Sequence, residues 1–223
     1  MREERVEQKS VVLVPGVGSC YGNGWRQLWK YFLELFLIGI IGFVIGIPSG
    51  MGGWSGGAAG ATILGILGFI YGILILGPTD YGVSFAHLKA ARGDKLEIKD
   101  MFEAFRNYWN AVLANLLVIV IVGVGLVLLI VPGIIFACKL VFTPYLVVDR
   151  KMEVIEAVRE SWRMTSGHAW KVFLIGLLAI LISIAGLICF GVGIIVSIMW
   201  IRLALASLYH AVSLAEASTL KQV

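Results

Sequence analysis

The sequence predicts an all-α integral membrane protein, with six transmembrane helices forming three hairpins and short amphipathic helices at the cytoplasmic interface. Three observations carry that prediction. Of the 223 residues, 59% are hydrophobic and 14% charged, against about 45–50% and about 25% in soluble domains. The apolar residues fall into six long runs, none with the two-residue alternation of a barrel strand. Among the connections between those runs, only alternate ones carry lysine and arginine. The composition excludes a water-soluble monomer, a disordered chain and a disulfide-stapled secreted domain.

Residues 1–24 are polar and then glycine-rich, and read as a cytoplasmic N-terminal segment. Val11–Val14 is too short for the apolar stretch of a signal peptide, so targeting is expected to rest on the first membrane helix. The six-helix domain is expected over 25–212, with 213–223 a cytoplasmic tail. Leu28–Ile47 is apolar apart from Lys30 and Glu34, long enough for a hydrocarbon core of about 30 Å. Pro48 and the glycine-rich Ser49–Gly60 turn the chain, and Ala61–Leu76 returns to end at Gly77-Pro78. Ala111–Val131 stops at Pro132-Gly133, and Ile134–Val148 follows, interrupted by Lys139 and Pro144. Val172–Phe190, Gly191-Val192-Gly193 and Ile194–Val212, which carries Arg202, complete the set. Backbone groups in lipid are satisfied internally, which makes each run a helix.

Basic residues orient the helices. The N-terminal region, the segment around Lys89–Arg106 and the segment around Arg150–Lys171 each carry several, whereas the turns at Pro48–Gly60, Val131–Gly133 and Phe190–Gly193 have no Lys or Arg. Basic loops stay inside, so the expected location is the cell inner (cytoplasmic) membrane with both termini cytoplasmic. The same rule accounts for the net charge of +4 without nucleic acid, and no nucleic-acid partner is expected. A weak threefold repeat accompanies the spans. Trp29, Trp109 and Trp170 each stand at the entrance of an outward run, where an amphipathic ring prefers to lie.

The inner connections, about 78–109 and 149–170, carry helical spacing. Tyr81, Phe85 and Leu88 share one face, and Met101, Phe102, Phe105 and Tyr108 another. Met152, Ile155, Val158 and Trp162 form a stripe opposite Glu153, Glu156, Arg159, Glu160 and Arg163. Such helices are expected to lie in the headgroup plane, apolar face down.

Several of these residues form a recurring pattern. It runs through Gly77-Pro78, Leu88-Lys89-x-Ala91-Arg92-Gly93, Phe102-x-x-Phe105, Val131-Pro132-Gly133-Ile134-Ile135 and Asp149. Its most specific block is Glu156-Ala157-Val158-Arg159-Glu160-Ser161-x-x-Met164-x-x-Gly167-x-x-Trp170-Lys171-x-Phe173-Leu174, with Gly191-Val192-Gly193-Ile194 and Tyr209 after it. Over roughly Gly24 to Tyr209 the chain resembles the prokaryotic six-pass family known as domain of unknown function 975. It is also similar to YciC-type membrane proteins and to the membrane domain fused to some glycerophosphodiester phosphodiesterases. The resemblance implies six helices and a cytoplasmic-membrane location but no reaction. One departure is Met199-Trp200 followed by Arg202, where a Pro-Tyr pair and a neutral polar residue are expected.

Glu34, Lys139 and Arg202 are the ionisable residues inside apolar runs, and with Asn115 they form the candidate intramembrane polar site. A charge at mid-bilayer costs at least about 2.5–3.5 kcal/mol, so each is expected to face the interior with a partner. Glu34 is expected to pair with Arg202, and Lys139 to face a polar cavity, a lipid phosphate or the interface. Asp80, His87 and His210 read as solvated interfacial residues. Gly42-x-x-x-Gly46 and Gly68-x-x-x-Gly72 are expected to let the first two helices pack closely, along Gly39, Gly42, Gly46 and Gly65, Gly68, Gly72. The three cysteines (Cys20, Cys138, Cys189) lack a ligand-cluster spacing, so neither a metal nor a disulfide framework is expected, and no cofactor.

Two function classes follow. One is a non-enzymatic envelope scaffold, accessory or lipid-interacting subunit, its partners being membrane lipids and a membrane protein or a second copy of itself. The other is a small transporter or channel for an anionic solute or lipid using Lys139 and Arg202. A polar cavity joining Lys139, Arg202 and Asn115 favours passage, and a packed core with satisfied ion pairs favours the scaffold. An enzyme is not expected, because no nucleophile–base set appears.

Overall fold

In the computed structural model, residues 15–50, 58–188 and 192–220 are described. Expectations for residues 1–14, for most of the turn Ser49–Gly60, and for Cys189 and Gly191 lie outside the described residues. Among the described residues every regular element is helical. Six segments are long and apolar enough to cross a membrane: Phe32–Ser49, Thr62–Arg92, Ile98–Leu128, Ile130–Asp149, Ala169–Leu187 and Gly193–Ala217. Large apolar side chains such as Phe43, Val127 and Leu181 point outward along them, as a lipid-facing surface requires.

The element order repeats three times. With the side that carries the basic connections called inner, a short polar helix there leads into an outgoing span, and a long returning span closes each unit. The first unit is α1 (Val17–Lys30), α2 (Phe32–Gly50), then α3 (Ala58–Tyr71) running through a π turn (Gly72–Leu76) into α4 (Gly77–Arg92). The second is a 3₁₀ segment (Ile98–Asn107), α5 (Tyr108–Leu128), α6 (Ile130–Leu140) and α7 (Thr143–Asp149). The third is α8 (Val154–Ser166), α9 (Ala169–Ile188) and α10 (Val192–Leu220). Trp29, Trp109 and Trp170 mark the start of each outward span and stay exposed. Trp29 stacks on Phe32 and Trp170 on Phe173, at 5.7 and 5.4 Å between ring centroids.

Each hairpin closes near its outer turn on a glycine. A Cβ at Gly68 would lie 3.1 Å from the Ser49 carbonyl oxygen, one at Gly125 would lie 3.0 Å from the Gly133 Cα, and one at Gly186 would lie 2.7 Å from the Gly193 oxygen. The expectation for the first hairpin is a seam of six glycines. Among the described residues, a Cβ at Gly39, Gly46, Gly65 or Gly72 would meet nothing within 4 Å and one at Gly42 only the Val83 methyl at 4.0 Å. Of the six, Gly68 alone makes a close approach. Tyr71 completes the contact by donating its hydroxyl to the Ile45 oxygen at 2.9 Å.

Two stretches differ from their sequence reading. Tyr81–Arg92 does not lie flat at the interface. It is the inner half of the second span and the most enclosed helix, with Tyr81, Gly82, Ala86, His87, Leu88 and Ala91 all buried. Gly82 sets that packing, since any Cβ there would overlap the Met101 carbonyl. Residues 17–24 are not a loose glycine-rich segment either. They begin α1, whose Gly24 faces Ala204 and whose Asn23 donates to the Ala91 oxygen and the Ser207 hydroxyl, both at 3.0 Å. In α8 the buried face is not the expected stripe of Met152, Ile155, Val158 and Trp162. Ala157, Ser161, Met164 and Thr165 are buried against the bundle, and Ile155 and Trp162 face outward.

Candidate functional site

The inner ends of the three returning spans are bound together by charge. Arg92, in the last turn of α4, donates through both Nη atoms to the two Asp149 oxygens at 2.7 and 2.6 Å. The Tyr209 hydroxyl adds a 3.3 Å bond to Asp149 and its ring stacks on Tyr145 with centroids 5.0 Å apart. Lys89 bonds Asp100 at 2.8 Å, and Asp100 also accepts the Glu97 N–H at 2.8 Å. A bidentate guanidinium–carboxylate pair fixes orientation as well as distance, so this cluster is the clamp of the fold.

The second charged feature lies deeper. Arg202 stands ten residues past the start of α10, about 15 Å below the outer turn. Asp80 stands twelve residues before Arg92, about 18 Å from the inner end of α4. Arg202 Nη2 donates to Asp80 Oδ1 at 2.7 Å. This corrects the expected pairing of Arg202 with Glu34, and the expectation that Asp80 is a solvated interfacial residue. Among the described residues Glu34 has no recorded ion pair.

Asp80 was misplaced because Gly77-Pro78 reads as a helix end. The chain instead continues through it. Pro78 removes the N–H that would bond the Leu74 oxygen, and the Tyr108 hydroxyl takes that oxygen at 3.0 Å. The π turn carries the Gly77 N–H back to the Gly72 oxygen, and Thr79 returns its hydroxyl to the Ile75 oxygen at 2.7 Å. Neighbouring hydroxyls thus let a proline sit inside a membrane span. Tyr108 and Thr79 were the available signals in the sequence.

Two clefts meet at the Arg202–Asp80 pair. The first, about 410 Å³, lies between α2, α4 and α10, with Leu35, Ile38, Phe43 and Ile198 as walls and His87 toward its inner end. The second, about 730 Å³, lies between α4, α5, α6 and α10, with Val118, Val122, Leu126 and Tyr145 as walls and Asn115 also in its lining. Asn115 also packs directly on Gly77. Both clefts are mostly apolar, and both reach the flank of the bundle, where Phe43, Ile119 and Leu126 are exposed. Protein leaves 55% of the Asp80 side chain uncovered, so its carboxylate faces the clefts rather than packed core.

The remaining predicted residues separate from this site. Lys139 lines neither cleft. Its ammonium bonds the Ser166 hydroxyl at 2.8 Å and lies 5.4 Å from the Trp162 ring centre. Its carbonyl accepts the hydroxyls of Ser161 and Thr165 at 2.9 and 3.1 Å, seating α8. His87 is another residue the sequence reading misplaced. It is 3% exposed, Nδ1 donates to the Val83 oxygen at 2.8 Å, and buried Nε2 has no partner among the described residues. Outside the spans, the Arg163 guanidinium bonded to Glu160 holds that carboxyl below the usual carboxylate range, and burial lowers His168.

No curated protein and no solved structure matches the chain. One family model does, over residues 110–222, a stretch that contains the specific block Glu156–Leu174, Asp149 and Tyr209. Its function is uncharacterised, as the motif pattern implied, but nothing points specifically to domain of unknown function 975, to YciC-type proteins or to the phosphodiesterase membrane domain. Because that match covers just over half of its length, the chain belongs to the family described as Domain of unknown function (DUF7847).

Proposed function

We propose that this protein is a non-enzymatic, lipid-interacting protein of the cytoplasmic membrane, with both termini inside, serving as a scaffold or accessory subunit. The observation that carries this reading is the pair of apolar-walled clefts that open on the flank of the bundle on either side of one ion pair. Such grooves fit acyl chains. The clamp at Arg92–Asp149 favours a fixed body over a moving one. Basic inner connections orient the chain, and its outward apolar faces leave room for another membrane subunit or a second copy.

The test is extraction of the protein in mild detergent, followed by lipid analysis and identification of copurifying chains. The expected result is retention of phospholipid close to one or two molecules per chain, counted from the two clefts. A lipid-free preparation with no partner defeats the reading. A second reading, passage of an anion, rests on Arg202 and Asn115 lining the same cleft. Anion flux in liposomes that falls in Arg202→Gln, without bound lipid, would put passage in place of the scaffold.

A further inference from the structure

The Arg202–Asp80 pair is joined at a single point, and that leaves most of its bonding capacity unused. A guanidinium offers five N–H donors and a carboxylate about four acceptor sites. Among the described residues the one hydrogen bond recorded for either side chain is Nη2 to Oδ1. Contrast the bidentate Arg92–Asp149 pair, which uses both nitrogens and both oxygens. At mid-bilayer the unused groups have no bulk water to turn to. Something polar must occupy the clefts beside them.

Charge balance restricts what that is. The pair is already neutral, so an added anion would leave an unbalanced charge at a depth where charge is costly. A ligand that is itself neutral but carries both signs adds none. The donors and acceptors on offer are also uneven. The free guanidinium donors suit an oxyanion, while Asp80 Oδ2 and His87 Nε2 are acceptors that need N–H or O–H groups. His87 lines the same cleft as the pair and is more than nine-tenths buried, with its second nitrogen unpartnered among the described residues. The apolar walls of Leu35, Ile38, Phe43 and Ile198 run alongside.

We infer that the cleft between α2, α4 and α10 binds a zwitterionic phospholipid with a primary amine, its phosphate on Arg202, its ammonium on Asp80 and one acyl chain along the α2 wall. This inference rests on the lipid-interacting reading above and names the headgroup. It distinguishes three common headgroups by chemistry. Phosphatidylethanolamine brings an oxyanion and N–H donors with no net charge. Phosphatidylcholine is zwitterionic but has no N–H to donate. Phosphatidylglycerol has O–H donors but a net negative charge.

The test places the full chain in nanodiscs made from equal parts of the three lipids, releases it into detergent, and counts retained lipid by native mass spectrometry. Losing a hydrogen bond to a charged group corresponds to about tenfold or more in affinity. Phosphatidylethanolamine is therefore expected to be retained about tenfold over the other two, and the preference should vanish in Arg202→Gln and Asp80→Asn. Equal retention of all three overturns the headgroup assignment while leaving the lipid-holding reading standing. A preference for phosphatidylglycerol overturns the charge-balance argument. Retention of no lipid at all defeats both readings. The wild-type comparison decides by itself if the variants fail to insert.

Discussion

Asp149 accepts three hydrogen bonds from two other spans, and this makes its partner Arg92 the most consequential exposed-end charge in the protein. Removing one member of a largely buried pair leaves the other unpaired, at a cost of about 3–5 kcal/mol. Arg92→Gln is therefore expected to lower the melting temperature in detergent sharply. Arg92→Lys is expected to recover only part of the loss, because an ammonium lacks the two-pronged geometry. Glycines divide just as clearly. Gly82→Ala forces a methyl into the Met101 carbonyl and is expected to prevent stable folding, whereas Gly72→Ala meets open space and is expected to leave the melting temperature unchanged. At Lys139 the backbone matters more than the charge. Ser161→Ala, which leaves the Lys139 oxygen with one fewer donor, is expected to cost about 1 kcal/mol. Lys139→Gln, at an exposed contact, is expected to cost less, as paired melts of the two variants would show.

At the scale of the element, α8 is held by both polar bonds and charge. Glu160 bonds Arg163 at 2.7 Å and lies 3.5 Å from Arg150, while Arg163 reaches Glu216 on α10 at 3.4 Å. A carboxyl whose folded value is depressed contributes stability above its unfolded value, and loses it as pH falls through the folded one. Glu160 is in that position. The protection factors of the α8 amides, which divide out the intrinsic pH dependence of exchange, are therefore expected to fall as the pH drops below the ordinary carboxylate range, before the spans open. Protection factors in α8 that stay constant over that range would contradict it. Element existence was legible from the sequence wherever an apolar run exceeded membrane thickness. Element ends were not. Gly77-Pro78 carries every local sign of a stop, and the hydroxyl of Tyr108, on a different helix, is what lets α4 continue. The same error hid the site: with the span ended at Leu76, Asp80 reads as surface, and Glu34 becomes the only carboxylate available to Arg202. The mixed polarity of α1 misled in the opposite direction, since Asn23 is a buried donor and not a solvated loop residue.

For the whole molecule, the six spans and the basic inner connections place the connection around Lys95 and the one around Lys151 on one side of the membrane. Short tags inserted at those two positions are expected to be protected or accessible together in right-side-out vesicles. Opposite accessibility would break the topology and the lipid reading with it. The threefold plan was legible in the Trp29, Trp109 and Trp170 entrances. Gly133 was read only as a turn residue, and the closing glycines Gly125 and Gly186 were not singled out, because a lone glycine in an apolar run gives no sign of what approaches it.

The widened turn at Gly72–Leu76 has a consequence for length. A π turn amounts to one surplus residue inserted in an α-helix. Deleting Ile73 would let the ladder return to four-residue spacing, with α3 and α4 still presenting their original sides. Deleting Phe85, in the regular helix below, would instead turn everything beyond it by about 100° and carry Arg92 away from Asp149. Natural shortening of this span is thus tolerable at one place, just above the Asp80 carboxylate, and lethal to the bundle a few turns further on.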